Sequence, residues 1–336
     1  MRKDLQHSLL VLQDLHLLKT SHQMPRQLVH RYLKFCLAIG LVFLAGCAPP
    51  RADRTPGQPL RVIATTSIIT DTVRQVGGDR IQLRGLMGPG VDPHLYKASE
   101  GDVQRLAEAD IVFYNGLHLE AKLTDVFVKM GRHVRAVPVT RDIPRERLIY
   151  PSDAEEAPDP HVWFDVQLWK FAVQTIRDVL CEADPESSAV FAQNASRYLD
   201  ELEVLDSWVR REMQAIPNEQ RVLITAHDAF NYFGRAYDIE VRGLQGISTV
   251  AEAGTADVEQ LARLIAQRRI RAIFVETSVP VRTIQAMRQT VRALGWNVEI
   301  GGELFSDALG SPDTPAASYV GMVRYNVETI VRALKP

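Results

Sequence analysis

The chain is short of cysteine, carries no surplus of charge of either sign, and has no apolar run long enough to cross a bilayer as a mature helix. Its 336 residues include 3 cysteines, which excludes a disulfide framework and a cysteine-rich zinc module. Lys and Arg number 39 against 41 Asp and Glu, a formal net charge of −2. A dedicated nucleic-acid binder needs a basic surplus to meet phosphate, so that class is excluded. Hydrophobic residues at 46% and charged residues at 24% exclude both a mainly disordered chain and a multi-span membrane protein. What is there is an ordinary globular composition, with room for one large domain or two smaller ones.

The first fifty residues differ from the rest. Phe35–Gly46 is an uncharged, mostly apolar run preceded by Arg26, Arg31 and Lys34. At about twelve residues it is too short to span a bilayer and fits the apolar part of a secretory signal. It ends in Leu44-Ala45-Gly46-Cys47, which resembles a bacterial lipobox and implies cleavage before Cys47 and lipidation of its thiol. Residues 1–46 are therefore read as a signal region, with 1–23 an over-extended start ahead of Met24. Residues 47–59, rich in Pro, are read as a lipidated tether. Cys181 is then the remaining mature thiol and is expected to pack on a helix face.

From Leu60 the chain alternates strand-like and helix-like runs. Strands are expected over Leu60–Thr66, Ile81–Leu86, Ile111–Asn115 and Val134–Val139, with helices over Ile68–Val76, Glu100–Ala109 and Leu119–Met130. Such alternation predicts a parallel sheet covered by helices. A polar connection, Arg141–Pro160, leads to helical patterns over Val166–Ala183 and Pro185–Ile216. The second of these is bounded by Pro185 near its start and Pro217 after its end. The alternation then restarts, with strands over Arg221–Ala226, Glu240–Leu244, Ala272–Val275 and Asn297–Ile300. Helices are expected between them, and a last helix over Ser318–Leu334. The fold class is α/β: two lobes, 60–184 and 218–336, each with a parallel four-stranded sheet, joined by one long rigid helix within 185–217. Trp163, Trp169, Trp208 and Trp296 are expected in the packing, and the Gly pairs lack the ending of a phosphate loop.

Of 9 histidines, five follow Cys47. His94 and His161 occupy the same tripeptide, Asp92-Pro93-His94 and Asp159-Pro160-His161, in which proline restricts the backbone and aspartate can bond locally. His227 follows the first strand of the second lobe, and Asp307 its last strand. All four lie past the carboxyl ends of expected strands, the edge at which open α/β sheets bind ligands. Two facing lobes would gather three imidazoles and a carboxylate, a set suited to a divalent first-row metal; without a thiolate, copper(I) is disfavoured. On these residues alone, a metal cleft and separately placed loop histidines both stay open. His118 and His133 are expected at a helix start and in a surface turn.

At these blocks the sequence resembles the solute-binding proteins of zinc, manganese and iron ABC transporters, solute-binding family 9 (cluster A-I). The resemblance covers Leu60–Leu334 and rests on Gly90–Tyr96, Ala109–Leu117, Asp159–Asp165, Thr225–Phe230, Leu244–Thr249 and Leu304–Gly310. It implies two lobes bridged by a helix at about 186–216, with His94, His161, His227 and Asp307 as metal ligands. It also implies a monomeric lipoprotein, exported and facing the periplasm or cell exterior, that delivers Mn2+, Zn2+ or Fe2+ to a membrane permease driven by a cytoplasmic ATPase. Zinc scavengers of the family often carry a histidine-rich loop before the second ligand. Here Arg141–Pro158 holds Asp153, Glu155 and Glu156 but no histidine, which favours a manganese, iron or mixed manganese/zinc member.

Imidazoles bind metal when neutral, so affinity is expected to fall below about pH 6.5. Asp228, Glu252 and Glu276 are candidate partners for the far ring nitrogens. Two other readings compete. A zinc-dependent hydrolase would need an open coordination position and a general base, which four protein ligands do not leave. A surface adhesion lipoprotein is compatible with the tether.

Overall fold

Strand β1 (Leu60–Ala64) sends Leu60, Val62 and Ala64 to one side and Ile63 to the other, and both sides are buried in apolar clusters. A strand buried on both faces needs helices on both faces, which is the parallel arrangement. In the computed structural model, which describes residues 58–131, 134–151 and 157–336, β1 pairs in parallel with β2 (Ile81–Gly85) and β3 (Ile111–Tyr114), and β3 pairs with β4 (Arg135–Pro138). The order is β2-β1-β3-β4. The signal, most of the tether with Cys47, His133 and the acidic residues Asp153, Glu155 and Glu156 lie outside the described residues.

Local chemistry starts the helices where the pattern places them. Thr66 Oγ1 accepts from Ile69 N to open α1 (Ser67–Gly77). Ser99 and Asp102 exchange reciprocal bonds at the start of α2 (Glu100–Glu108), satisfying donors that a helix leaves unpaired. The helix expected over Leu119–Met130 is shorter. Leu117 and His118 take positive φ values of 52° and 65°, a 3-10 turn covers Ala121–Leu123, and α3 is Thr124–Met130. The cause is Glu120, whose carboxylate accepts from Asn115 N at 2.8 Å and Gly116 N at 3.3 Å. Those bonds hold the chain in a turn before a helix can begin.

Asp165 caps α4 (Val166–Ala183) through Gln167 N and Leu168 N. A 3-10 turn at Pro185–Ser187 leads to α5 (Ser188–Met213), 26 residues and about 39 Å at ~1.5 Å per residue. Its buried stripe includes Phe191, Ala195, Tyr198, Leu202, Leu205 and Val209. This stripe packs against α4, α1 and the last helix, α9 (Tyr319–Leu334). The resulting cluster draws on both lobes, with Trp169, Phe230, Phe233 and Tyr319 beside the leucines of α5. Each side chain of that size contributes about 1.5–3 kcal/mol when fully buried, so the bridge is a shared core.

The second lobe runs β5 (Val222–His227), α6 (Asn231–Tyr237), β6 (Glu240–Gln245), α7 (Thr255–Arg268), β7 (Ala272–Glu276), α8 (Arg282–Ala293) and β8 (Glu299–Leu304). It departs from the expected single four-stranded ladder: β5 pairs with β6 and β7 with β8, as two parallel pairs. Strands β5 and β7 still lie side by side, so the spatial succession β6-β5-β7-β8 repeats that of the first sheet. At their carboxyl ends His227 N donates to the Glu276 side chain at 2.9 Å. Strand β8 begins and ends later than the expected Asn297–Ile300 and runs through Gly301 and Gly302 to Leu304. The register shifts at Ile273/Phe274, and a Cβ on Gly301 would stand 2.7 Å from Ala333 Cβ and 2.8 Å from Phe274 Cε1. Glycine lets the strand continue in close approach to α9.

Trp163 and Trp169 are buried, while Trp208 and Trp296 are partly buried against the two larger clusters. Cys181 is free and packs against the larger one. No helix among the described residues is long and apolar enough to cross a membrane.

Candidate metal site

In each lobe the order of strand addition reverses at the same point, between β1 and β3 and between β5 and β7, where ligand crevices form at carboxyl ends. His227 is the last residue of β5, and Asp307 stands three residues past β8. His94 and His161 come from the loops after β2 and β4, and their shared tripeptide behaves alike at both places. Asp92 Oδ1 accepts from His94 N at 2.8 Å, and Asp159 Oδ1 from His161 N at 2.9 Å. Each aspartate folds its own loop so that the ring is aimed inward.

The four side chains meet. His94 Nε2 lies 3.3 Å from His161 Nε2. Asp307 Oδ1 lies 3.4 Å from His161 Nε2, and Asp307 Oδ2 lies 3.4 Å from His227 Nε2. One ligand atom from each of the four falls within 4.8 Å of all the others, and all four residues are buried. A tetrahedral ion with bonds of about 2.0–2.1 Å has ligand-to-ligand edges of about 3.4 Å. These three separations are close to that edge.

The far ring nitrogens of two histidines face carboxylates. His161 Nδ1 stands 2.7 Å from Asp159 Oδ1, and His227 Nδ1 stands 2.6 Å from Glu276 Oε2. The second contact is close but not aligned as a linear hydrogen bond. Of the three partners expected, Glu276 serves; Asp228 instead accepts from Gly243 N, and Glu252 is exposed near Arg282. Asp159 was legible as a loop former through its tripeptide, but its second role on the ring was not.

Charge fits a cation. Asp159, Glu276 and Asp307 are buried around three imidazoles, a surplus of negative charge that a divalent ion offsets. Burial pushes His94 down to about 4. Burial would lower His161 as well, but Asp159 and Asp307 outweigh it and raise it to about 9. His227 is likewise raised against burial by Glu276 and Asp307. Asp307 is held well below the usual carboxylate range, against burial, by His227 and His161. Asp307 Oδ1 and His227 Nε2 are buried without a hydrogen-bond partner, an arrangement costly unless a cation engages them.

Residues 62–333 match the family model described as zinc-uptake complex component A, periplasmic (ZnuA). The chain belongs to this family. It is 49% identical over 278 residues to the zinc-binding protein TroA of Treponema pallidum, covering 83% of this chain and 89% of that one. It is 45% identical over 292 residues to the manganese-binding lipoprotein MntA of Bacillus subtilis, covering 87% and 95%. It is 30% identical over 308 residues to the manganese ABC transporter substrate-binding lipoprotein PsaA of Streptococcus pneumoniae, covering 89% and 96%. The solved structure of periplasmic TroA superposes with a TM-score of 0.81 at 47% identity, over 83% of this chain and all of that one. In this ZnuA-family chain a cavity of about 370 Å³ reaches His94, lined also by Leu117, His118, Asn231 and Ser248. His118, expected at a helix start, sits instead in the left-handed turn at this mouth.

Lobe-to-lobe contacts surround the site. Thr249 Oγ1 donates to Asp92 Oδ2 at 2.6 Å, and Trp163 Nε1 donates to Ser306 O at 3.0 Å, with the Trp163 ring against His161. Sequence reasoning placed neither bond, because each joins segments more than a hundred residues apart.

Proposed function

We propose that this chain captures a divalent transition metal through His94, His161, His227 and Asp307 and passes it to the permease of an ABC transporter driven by a cytoplasmic ATPase. One observation carries the reading: three imidazoles and a carboxylate, buried between two lobes, at the mutual distances of a metal's ligands. The names of TroA, MntA and PsaA support Zn2+ or Mn2+ as the cargo, and Fe2+ is the third candidate. The protein works as a binder without turnover, since four protein ligands complete a tetrahedral shell and leave no position for an attacking water.

The working form is a monomer that begins at Cys47. Residues 1–46 direct export, 47–59 tether the lipidated chain to the membrane facing the periplasm or cell exterior, 60–184 and 218–336 are the lobes, and 185–217 the bridge. The lipobox-like Leu44–Cys47 and the likeness to named lipoproteins support this part.

The test is elemental analysis of the signal-less protein after reloading, with Zn2+, Mn2+ and Fe2+ titrated near pH 7. About one metal per chain is expected, with loss of binding but not of folding in His161→Ala and Asp307→Ala. Wild-type protein without stoichiometric metal overturns the site.

A further inference from the structure

Asp307 is the one ligand that can give a metal either one atom or two. Its oxygens face different neighbours, Oδ1 toward His161 and Oδ2 toward His227, each at 3.4 Å. Whether both stay so aimed depends on what holds the carboxylate against rotation. Oδ1 has no hydrogen-bond partner. Oδ2 accepts from the Ser278 hydroxyl at 3.1 Å. Ser278 Oγ also lies 2.7 Å from the hydroxyl of the buried Ser306. An ionised carboxylate only accepts, so Ser278 must donate to Asp307 and Ser306 must donate to Ser278. The two hydroxyls thus form a relay with one direction, and its end pins the plane of the Asp307 carboxylate.

We propose that the Ser278 hydroxyl decides how many carboxylate oxygens Asp307 gives the metal, and so sets the balance between Mn2+ and Zn2+. The inference rests on the metal-binding reading above and adds to it a specificity-determining residue that is not itself a ligand. Zinc is content with four ligands in a tetrahedron. Manganese favours more oxygen and a higher coordination number, and on a fixed ligand set binds more weakly than zinc. A carboxylate held with both oxygens inward offers the fifth contact. One free to rotate settles to a single oxygen, which costs manganese more than zinc. Ser278 comes from the loop between β7 and α8 and Asp307 from the loop after β8, so the bond also couples the ligand to its neighbouring strand connection.

The experiment titrates Mn2+ and Zn2+ separately into wild type, Ser278→Ala, Ser278→Thr and Ser306→Ala. X-ray absorption on the manganese-loaded proteins counts the ligands. Loss of a hydrogen bond to a charged acceptor predicts that Ser278→Ala weakens Mn2+ binding about tenfold and Zn2+ binding by less than about threefold. The manganese coordination number should fall by one. Ser278→Thr, which keeps the hydroxyl, should return both values to those of wild type, and Ser306→Ala should shift the ratio the same way by less. Equal weakening of both metals, tighter manganese binding, or an unchanged coordination number in Ser278→Ala overturns the proposal while leaving the four-ligand site standing. Wild type that binds neither metal removes the site itself, and this inference with it.

Discussion

Replacing Glu276 by glutamine tests whether the ring behind the metal must carry its proton at a chosen place. Glu276 is buried and each oxygen meets a different group of the same residue: Oε1 accepts from His227 N at 2.9 Å, and Oε2 stands 2.6 Å from His227 Nδ1. Glutamine keeps the shape but turns one oxygen into a donor. If the amide oxygen keeps the main-chain bond, its NH2 faces Nδ1, and the ring must release that proton and carry it on Nε2. That nitrogen is the one aimed at Asp307 and at the proposed metal position. The alternative flip sets two donors against each other at the main chain. Partners of this kind are worth about 10–100-fold in metal affinity, or ~1.4–2.8 kcal/mol.

Asp159→Asn supplies the contrast. There a single oxygen, Oδ1, serves both His161 N and Nδ1, and an amide oxygen can do the same. The new NH2 would take the place of Oδ2, which accepts from Asn231 Nδ2 at 3.1 Å, and the Asn231 amide can turn over to receive it only by giving up its 3.3 Å bond to Asp228 O. The proton on His161 stays where it was, and the loss should be less than about tenfold. Competition against a chromogenic chelator at pH 7, with thermal melts of the metal-free proteins as a folding control, reads both. A folded Glu276→Gln protein within twofold of wild type, or an Asp159→Asn protein that is the weaker of the two, would refute the reasoning.

Two further outcomes follow from other bonds. Thr249→Val removes the 2.6 Å bond to Asp92 that ties the His94 loop to the opposite lobe; at ~1 kcal/mol it should speed metal dissociation about fivefold in stopped-flow chelation, and an unchanged rate counts against an inter-lobe tie. Asp102→Asn should cost about 1 kcal/mol in urea unfolding at pH 7, because the carboxylate closes the cap of α2. Burial alone would raise the Asp102 carboxyl, but bonds from Ser99, Tyr96 and Arg105 hold it well below the usual range. Its stabilisation is therefore complete above the unfolded value of about 3.9 and lost as pH falls through the lower folded one. An advantage of wild type already gone at pH 5 would contradict this.

Much of the fold was legible because its signals are local. Alternation of strand-like apolar runs with helix-like runs marked the strand and helix order. The helical pattern bounded by Pro185 and Pro217 marked the bridging helix. Legibility failed where a side chain reached across to the backbone. Glu120 delays α3 by bonding Asn115 and Gly116. Glu276 takes the N–H of His227 at the boundary of the two strand pairs. The glycines at 301 and 302 lie past the expected end of the last strand, yet serve a close approach to α9 that no single-segment pattern reveals.

The sequence by itself determined the side-chain types of the proposed site, the strand ends that carry them and, through the repeated Asp-Pro-His turn, the rigid presentation of two rings. Those depend on residues within a few positions of one another. Only the tertiary structure decided that Asp159 and Glu276 face the outer ring nitrogens, that Ser278 and Ser306 steer Asp307, and that Trp163 and Thr249 join the lobes beside the metal site. Such contacts are set by how two sheets and a shared core pack, and packing brings together residues whose separation along the chain carries no local signal.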